Sequence, residues 1–350
     1  MPKIVTALTE CGAQWPSGRL WGVAMRLLGI RRRGVRLVLA GVVAGVLLPV
    51  TAAPAQAAAP HTYKVWQWNV AGNTIHDGST TDGMVDQAAS SIVNREADFA
   101  GFNELCQGQY DALVSKLRAK GWPADPQNFA RFEPSRQAGN ASVCHGEAFG
   151  NGLFSRRPLG TADRITLPDD GTAEKRKLLC APLTDGTGTR FCTTHITTSQ
   201  SFNVAQLESV RRKLEEYHTG GEIVLIAGDF NAQPHYGRLN SFYAPSLDVP
   251  NNGNNTGAYR ELDDNDTGNC LGYGEWTADG TPGAVPPCGG NAKIDLIFAR
   301  ESALAGPYSE DSLAISTSCT GVTACSDHRI IVGTVTVGGT LSSASDLHAG

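Results

Sequence analysis

The stretch Ile226-Ala-Gly-Asp-Phe-Asn-Ala-Gln-Pro234 decides how the rest of this chain is read. Ile223, Val224, Leu225 and Ile226 form an unbroken apolar run, and Gly228 ends it. A short run of that kind bounded by glycine is the pattern of a buried strand over residues 222–227. Asp229 and Asn231 then stand at its carboxyl end, two residues apart and therefore on one face. A carboxylate and a carboxamide so held can grip a hard cation, a phosphate oxygen or an attacking water. Gly-Asp-Phe-Asn is also good turn chemistry, so the stretch alone leaves a plain turn open.

Working outward, other strands end in polar residues too. Tyr63 to Val70 alternates as a strand and carries Asn69 near its end. Met84, Val85, Ala88, Ala89 and Ile92 share one face of a helix that Thr81 or Asp82 can cap. Asp98 to Glu104 reads as a second strand with Glu104 at its carboxyl end, and Gln107 to Ala119 as a helix. Strand, helix, strand, helix is the grammar of a layered α/β protein. Residues 122–146 read as a long loop. Ala148 to Ser155, Thr161 to Leu167, Lys177 to Leu183 and Thr189 to Thr194 read as four strands of an antiparallel meander, followed by His195. A helix over Ser201 to Tyr217 turns Val204, Leu207, Val210, Leu214 and Tyr217 inward. Beyond Pro234 the pattern gives a short helix to Tyr243, a polar loop region over 251–290, a strand Ile294 to Phe298 carrying Asp295, and a last strand Arg329 to Val337. Ser326-Asp327-His328 introduces that last strand.

The 350 residues divide into a leader over 1–57, one domain over 58–340 and a small polar tail over 341–350. Arg31-Arg32-Arg33 precede a mostly apolar stretch from Leu37 to Val50, and Ala55-Gln-Ala57 has the small-x-small form of a signal-peptidase site, so export to the outside of the cell is expected. The apolar run is shorter than the ~20 residues of a membrane span. Without the leader, 22 Lys and Arg face 33 Asp and Glu, so the mature chain carries a net charge of −11. A broad basic surface for nucleic acid is thereby excluded, and a phosphodiester substrate would have to be met by a bound cation and a few local bases. Eight cysteines remain after the leader, an even number that suits disulfides in an exported protein. Local spacing pairs Cys180 with Cys192, Cys270 with Cys288 and Cys319 with Cys325, which leaves Cys106 with Cys144.

Trp68-Asn69, Asn103-Glu104, Gly150-Asn-Gly-Leu-Phe-Ser155, Thr194-His195, Gly228-Asp-Phe-Asn231, Ile294-Asp295 and Ser326-Asp-His328 occur in this order along nearly the whole mature chain. Together they resemble the motifs of the endonuclease/exonuclease/phosphatase superfamily, which includes deoxyribonuclease I, abasic-site endonucleases, bacterial sphingomyelinases and inositol polyphosphate 5-phosphatases. The resemblance implies a four-layer α/β sandwich, two mixed and mostly antiparallel sheets face to face with helices outside, and a site at one rim. It implies Glu104 as the main ligand of Mg²⁺ or Mn²⁺, helped by Asn69 and Asp327, an oxygen set suited to a hard cation. Asp229 would orient or deprotonate the attacking water, and Asn231 would hydrogen-bond a phosphate oxygen, with Asn151 and Arg176 as further phosphate contacts. His328, oriented by Asp295, and His195 would supply charge stabilisation and proton transfer. Asn103 stands where the family usually has Gln. Asn151 stands where deoxyribonuclease I has the Glu partner of its first histidine, which leaves Glu147 as the candidate partner of His195.

The expected activity is a secreted, metal-dependent phosphodiesterase cutting nucleic acid, DNA or alternatively RNA. Arg131, Arg136, Arg156, Arg157 and Arg260 are the bases available for groove contacts. A phospholipid headgroup is the alternative substrate, with Trp276 as an interfacial aromatic, and an inactive binding module of the same fold is the alternative outside enzymology. Asp263-Asp-Asn-Asp266 reads as a candidate structural Ca²⁺ loop. His61, His76, His145, His218 and His235 are read as structural or surface residues, and no protein partner is expected of a monomer.

Overall fold

In a computed structural model, residues 59–267, 270–279, 288 and 291–338 are described. The expected leader and tail and the middle of the 251–290 loop lie outside them. Among the described residues, two six-stranded sheets pack face to face, with helices on both outer faces, so the expected four-layer α/β sandwich is the fold.

The first sheet holds β1 (His61–Asn69), β2 (Phe99–Cys106), β3 (Ala130–Arg136), β4 (Phe149–Ser155), β11 (Leu304–Leu313) and β12 (Ile330–Val337) in the order β11-β12-β1-β2-β4-β3. The second holds β5 (Asp163–Thr166), β6 (Lys177–Pro182), β7 (Thr189–His195), β8 (Ile223–Asp229), β9 (Tyr259–Glu261) and β10 (Asp295–Arg300) in the order β5-β6-β7-β8-β10-β9. Each sheet contains one parallel pair, β1 with β2 and β7 with β8, and the other ladders are antiparallel. Alternation explains the layers. Val65, Phe99, Leu225, Ala227, Ile297 and Val335 point between the sheets. Trp66, Trp68, Ala100 and Phe102 point the other way, onto α1 (Met84–Asn94) and α2 (Gln107–Ala119). Val224, Ile226, Leu296 and Phe298 meet Leu207, Val210, Leu214 and Tyr217 of α3 (Gln200–Thr219).

Five expectations need correction. The region 122–146 contains β3, which pairs with β4 through side chains too mixed for a strand pattern to show. The meander is three strands, β5-β6-β7; β4 belongs to the other sheet, beside β2. Where a helix from Pro234 to Tyr243 is expected there is a 3₁₀ turn, Gly237–Leu239, and Val204 is 53% exposed rather than inward. The strands β9 and β11 were not expected: β9 has three residues, and β11 is an exposed edge strand.

Three of the four expected disulfides are formed, Cys106–Cys144, Cys180–Cys192 and Cys319–Cys325. The two cysteines of the fourth expected pair, Cys270 and Cys288, lie side by side. Two acids of the run at 263–266 face protein cations. Asp264 takes Arg260 with both oxygens at 2.7 and 2.8 Å, and Asp263 lies 3.0 Å from the buried Lys293. Asp263 and Asp264 are thus turned to protein cations, and Asn265 Nδ2 donates to the Tyr308 carbonyl at 2.9 Å.

Candidate active site

The polar strand ends meet at one rim because of register. In the second sheet Asp229 stands opposite His195 of β7 on one side and Asp295 of β10 on the other. In the first sheet Asn69 stands opposite Asn103. The two rows are joined across the sandwich. Asn103 Oδ1 accepts the Asp229 main-chain N–H at 2.9 Å, and Asn103 Nδ2 donates to the Thr194 carbonyl at 3.0 Å. Asn69 Nδ2 donates to Asp229 Oδ2 at 3.1 Å and lies 3.3 Å from Glu104 Oε1.

Glu104 reaches this rim through a bulge. Phe102 pairs with Gly152 and Leu105 with Gly150, so β2 holds one residue more than β4 between those pairs. Glu104 absorbs it with φ +61°, a left-handed conformation rare for such a residue and typical of bulges that re-aim a side chain. Asn231 is also left-handed at φ +46°. Its N–H donates to Asp229 Oδ1 at 2.9 Å and its Nδ2 to the Ile196 carbonyl at 2.9 Å. Turn and grip are therefore one object: the Asx turn is what fixes the Asp229 carboxylate.

His328 Nδ1 is 2.7 Å from Asp295 Oδ2, and its Nε2 faces Asp229 Oδ2 at 3.9 Å. Ser326 holds the preceding turn, donating to the Asn69 carbonyl at 2.7 Å and accepting the His328 N–H at 3.0 Å. Thr277 Oγ1 accepts the N–H groups of both Ile294 and Asp295 at 3.0 Å. Asp327, next to His328, is exposed, and its negative charge is felt by Glu104 and His328.

His195 is buried, with Nε2 3.4 Å from Asp229 Oδ2 and Nδ1 3.7 Å from Glu174 Oε1. Glu147 is engaged elsewhere, accepting the Gly108 N–H at 2.8 Å at the start of α2, and Glu174 is the acid that faces His195 Nδ1. Arg176 binds the same Glu174 oxygen at 2.9 Å, while its Nε is buried without a hydrogen-bond partner. Asn151 lies behind the rim, its Oδ1 accepting from Asn103 at 3.1 Å and its Nδ2 3.3 Å from the Lys177 carbonyl. Of the residues singled out in the sequence, Asn69, Glu104, His195, Asp229, Asn231, Asp295 and His328 thus converge, Arg176 and Asp327 flank them, and Asn151 stands behind. Glu174 carried no sequence signal, because it sits in an irregular loop whose approach depends on β6.

The electrostatics separate the two histidines. Burial drives His195 well below its ordinary value, and the positive charges of Arg176 and His328 add to this. Burial also opposes charge on His328, but the carboxylate of Asp295, its hydrogen bond and the charge of Asp229 prevail and lift it to about 10. Burial, then the neighbouring Asp295 charge, raises Asp229 to about 7. Burial raises Glu104, and the charges of Glu174 and Asp327 raise it further against the hydrogen bond from Asn69.

Two oxygen-rich sets could hold a cation. Asp229, Asp295 and His328 offer ligand atoms within 4.8 Å of one another, but His328 is engaged as an imidazolium with Asp295 there. Glu104, with Asn69 and Asp327 close by, is a hard-oxygen set whose mutual repulsion a cation would relieve, so the residues fit a divalent metal.

A family model described as the endonuclease/exonuclease/phosphatase family matches residues 66–328. The chain belongs to that family. Members of the endonuclease/exonuclease/phosphatase family are generally divalent-metal-dependent phosphoric ester hydrolases. No curated protein matches the sequence. Among solved structures, the human Nocturnin catalytic domain with bound sulfate is 16% identical, with a TM-score of 0.58 over 79% of this chain and 93% of that one. Truncated Caenorhabditis elegans TDP2 is 15% identical, with a TM-score of 0.53 over 78% and 97%. Danio rerio TDP2 complexed with single-strand DNA product is 20% identical, with a TM-score of 0.52 over 78% and 98%. At these identities the likeness concerns the fold.

Proposed function

We propose that this protein is a divalent-metal-dependent phosphodiesterase that hydrolyses nucleic acid, DNA in the first place. The observation that carries the reading is the row in which Asp229 is flanked by His195 and Asp295, with His328 clamped on Asp295 and Glu104 brought opposite by its bulge. Support for nucleic acid comes from the structural relative solved with single-strand DNA product. Glu104, with Asn69 and Asp327, would hold Mg²⁺ or Mn²⁺, which supplies charge neutralisation to a bound phosphate.

The chain's own residues account for the rest. Asp229, pinned by Asn231 and Asn69, orients the attacking water and takes a proton from it. That water forms the new bond to phosphorus in line with the ester oxygen that leaves. His328 is held protonated by Asp295 and directs Nε2 into the cleft, where it stabilises charge on the phosphoryl oxygens or protonates the leaving oxygen. His195 and Asn231 border the same space and provide hydrogen bonds to the phosphate, with Arg176 adding positive charge. Asn151 acts one step back, by bracing Asn103.

The phospholipid alternative gains nothing from Trp276, whose ring face is covered by the Arg329 guanidinium at 3.6 Å. Of the bases read as groove contacts, Arg131 serves carbonyls, Arg157 pairs with Asp185 and Arg260 with Asp264, so the reading rests on the rim rather than on them. Export by a cleaved leader remains part of the proposal, supported by three disulfides. Amino-terminal sequencing of protein from culture medium should begin near residue 58. For the activity, the purified mature protein should nick supercoiled plasmid with Mg²⁺, stop with chelator, and lose at least about a hundredfold as Glu104→Gln. Intact plasmid alongside hydrolysed sphingomyelin or inositol phosphate would move the protein to another substrate class.

A further inference from the structure

One cation beside the rim has no acid of its own. Arg157, Arg176, Arg190, Arg211, Arg260 and Arg300 each hold a carboxylate, whereas Arg238 pairs with none among the described residues. It lies seven residues beyond Asn231, and its Nη2 donates to the Asn231 carbonyl at 3.2 Å. Its guanidinium lies over the Tyr236 ring, 4.2 Å from the centroid, and its Nε is buried without a partner. Nη1 has no hydrogen bond among the described residues and is not one of the buried unsatisfied atoms. A guanidinium stripped of part of its water and given no counter-charge is poised for an anion from outside.

The surface continues from Arg238 in a definite way. The Tyr236 ring stands 4.4 Å from the His235 ring, and His235 forms one wall of a cleft of about 440 Å³ completed by residues 248–254. The cleft is lined by amides and main chain. Its one carboxylate, Asp248, is turned to the Asn254 N–H. His235 Nδ1 is buried and unpartnered. Such walls suit a flat, uncharged group with several hydrogen-bonding atoms, which describes a nucleobase turned out of its stack.

We propose that Arg238 grips the phosphate adjoining the scissile one and that the His235 cleft receives the neighbouring base, so that the preferred substrate is single-stranded nucleic acid. The proposal rests on the nuclease reading above. Arg238 is a binding residue for the flank of the strand and takes no part in bond cleavage.

The test compares wild type, Arg238→Gln and Arg238→Lys with Mg²⁺ on a single-stranded deoxyoligonucleotide and on bis(4-nitrophenyl) phosphate, which has no flanking nucleotide. On the oligonucleotide Arg238→Gln should raise KM roughly tenfold to a hundredfold, as expected for a charged hydrogen bond, with kcat nearly unchanged. The slope of log(kcat/KM) against log salt should fall by about 0.7, the share of one phosphate contact on a single strand. Arg238→Lys should recover part of the loss. On the small diester all three proteins should agree. An oligonucleotide with abasic sugars should raise the wild-type KM roughly tenfold. Equal losses on both substrates would mean that Arg238 works through Asn231, and would overturn the subsite. Unchanged oligonucleotide kinetics in Arg238→Gln, or indifference of wild type to the missing bases, would overturn it too. A wild type inactive on both substrates would instead sink the nuclease reading on which the subsite depends.

Discussion

Replacing Asp295 by Asn keeps the shape of the residue beside His328 and removes its charge. In the metal-free protein His328 sits at about 10, some 3.5 units above an ordinary imidazole, which corresponds to about 5 kcal/mol at most. One opposite charge in direct contact accounts for about 1–3 of those units, so Asp295→Asn should lower the titration of His328 by that much and cost the imidazolium about 1–4 kcal/mol. The sign follows from the direction of the shift. A histidine whose folded value lies above its unfolded one contributes stability fully below pH 6.5, and that contribution is lost as pH rises through about 10. Asp229, raised to about 7, does its destabilising between its ordinary value of 3.8 and 7 and adds little slope above that. Urea unfolding in chelator should therefore show wild type losing stability between pH 7 and 10, the variant losing less, and the gap between them narrowing toward pH 10. NMR titration of the His328 ring reads the shift directly, and plasmid nicking with Mg²⁺ should drop roughly 10²- to 10⁴-fold. A variant in which His328 still titrates near 10, or whose stability falls as steeply as wild type above pH 7, would refute the assignment of Asp295 as the source of the charge.

Three further outcomes are expected. At Gly228 a Cβ would lie 2.1 Å from the Thr194 carbonyl oxygen, a backbone atom that cannot move aside, so Gly228→Ala should lower stability by about 2 kcal/mol or more, visible as a reduced Tm. Serine at both Cys106 and Cys144, which close 38 residues, should cost about 4 kcal/mol in denaturant, against about 2 kcal/mol for the Cys319–Cys325 pair, which closes 6. Lys293 is wholly buried among Glu261, Asp263 and Glu310, and Lys293→Met should cost about 3–5 kcal/mol by leaving those acids without their cation.

The sandwich and most of its rim were legible because buried strands announce themselves by apolar runs and their ends by polar residues. Val224-Leu225-Ile226 before Asp229 and Ile294 to Phe298 around Asp295 are of that kind. What escaped was set by pairing rather than by pattern. The strand β3 alternates poorly, since its buried positions are the polar Glu133 and Ser135 while Phe132 is only half-buried. The strand β11 packs little apolar surface and exists through its ladder with β12. Glu104 was placed at a strand end, but the bulge that aims it depends on the register with Gly150 and Gly152 in another strand. Glu174 was invisible for the same reason, its position beside His195 being fixed through Arg176 and the turn before β6. Contacts made across elements leave no period in the chain.

The carboxamide of Asn103 belongs to one sheet and closes its bonds on Asp229 and Thr194 of the other. The site is therefore a seam, and neither sheet owns it. A chain with one finished sheet carries half of each pairing and can do no chemistry, however much secondary structure it contains. During refolding, hydrolytic activity is expected to return only with docking of the two sheets, trailing the far-UV signal of the strands. Late assembly would keep an incompletely folded hydrolase harmless to the cell that makes it.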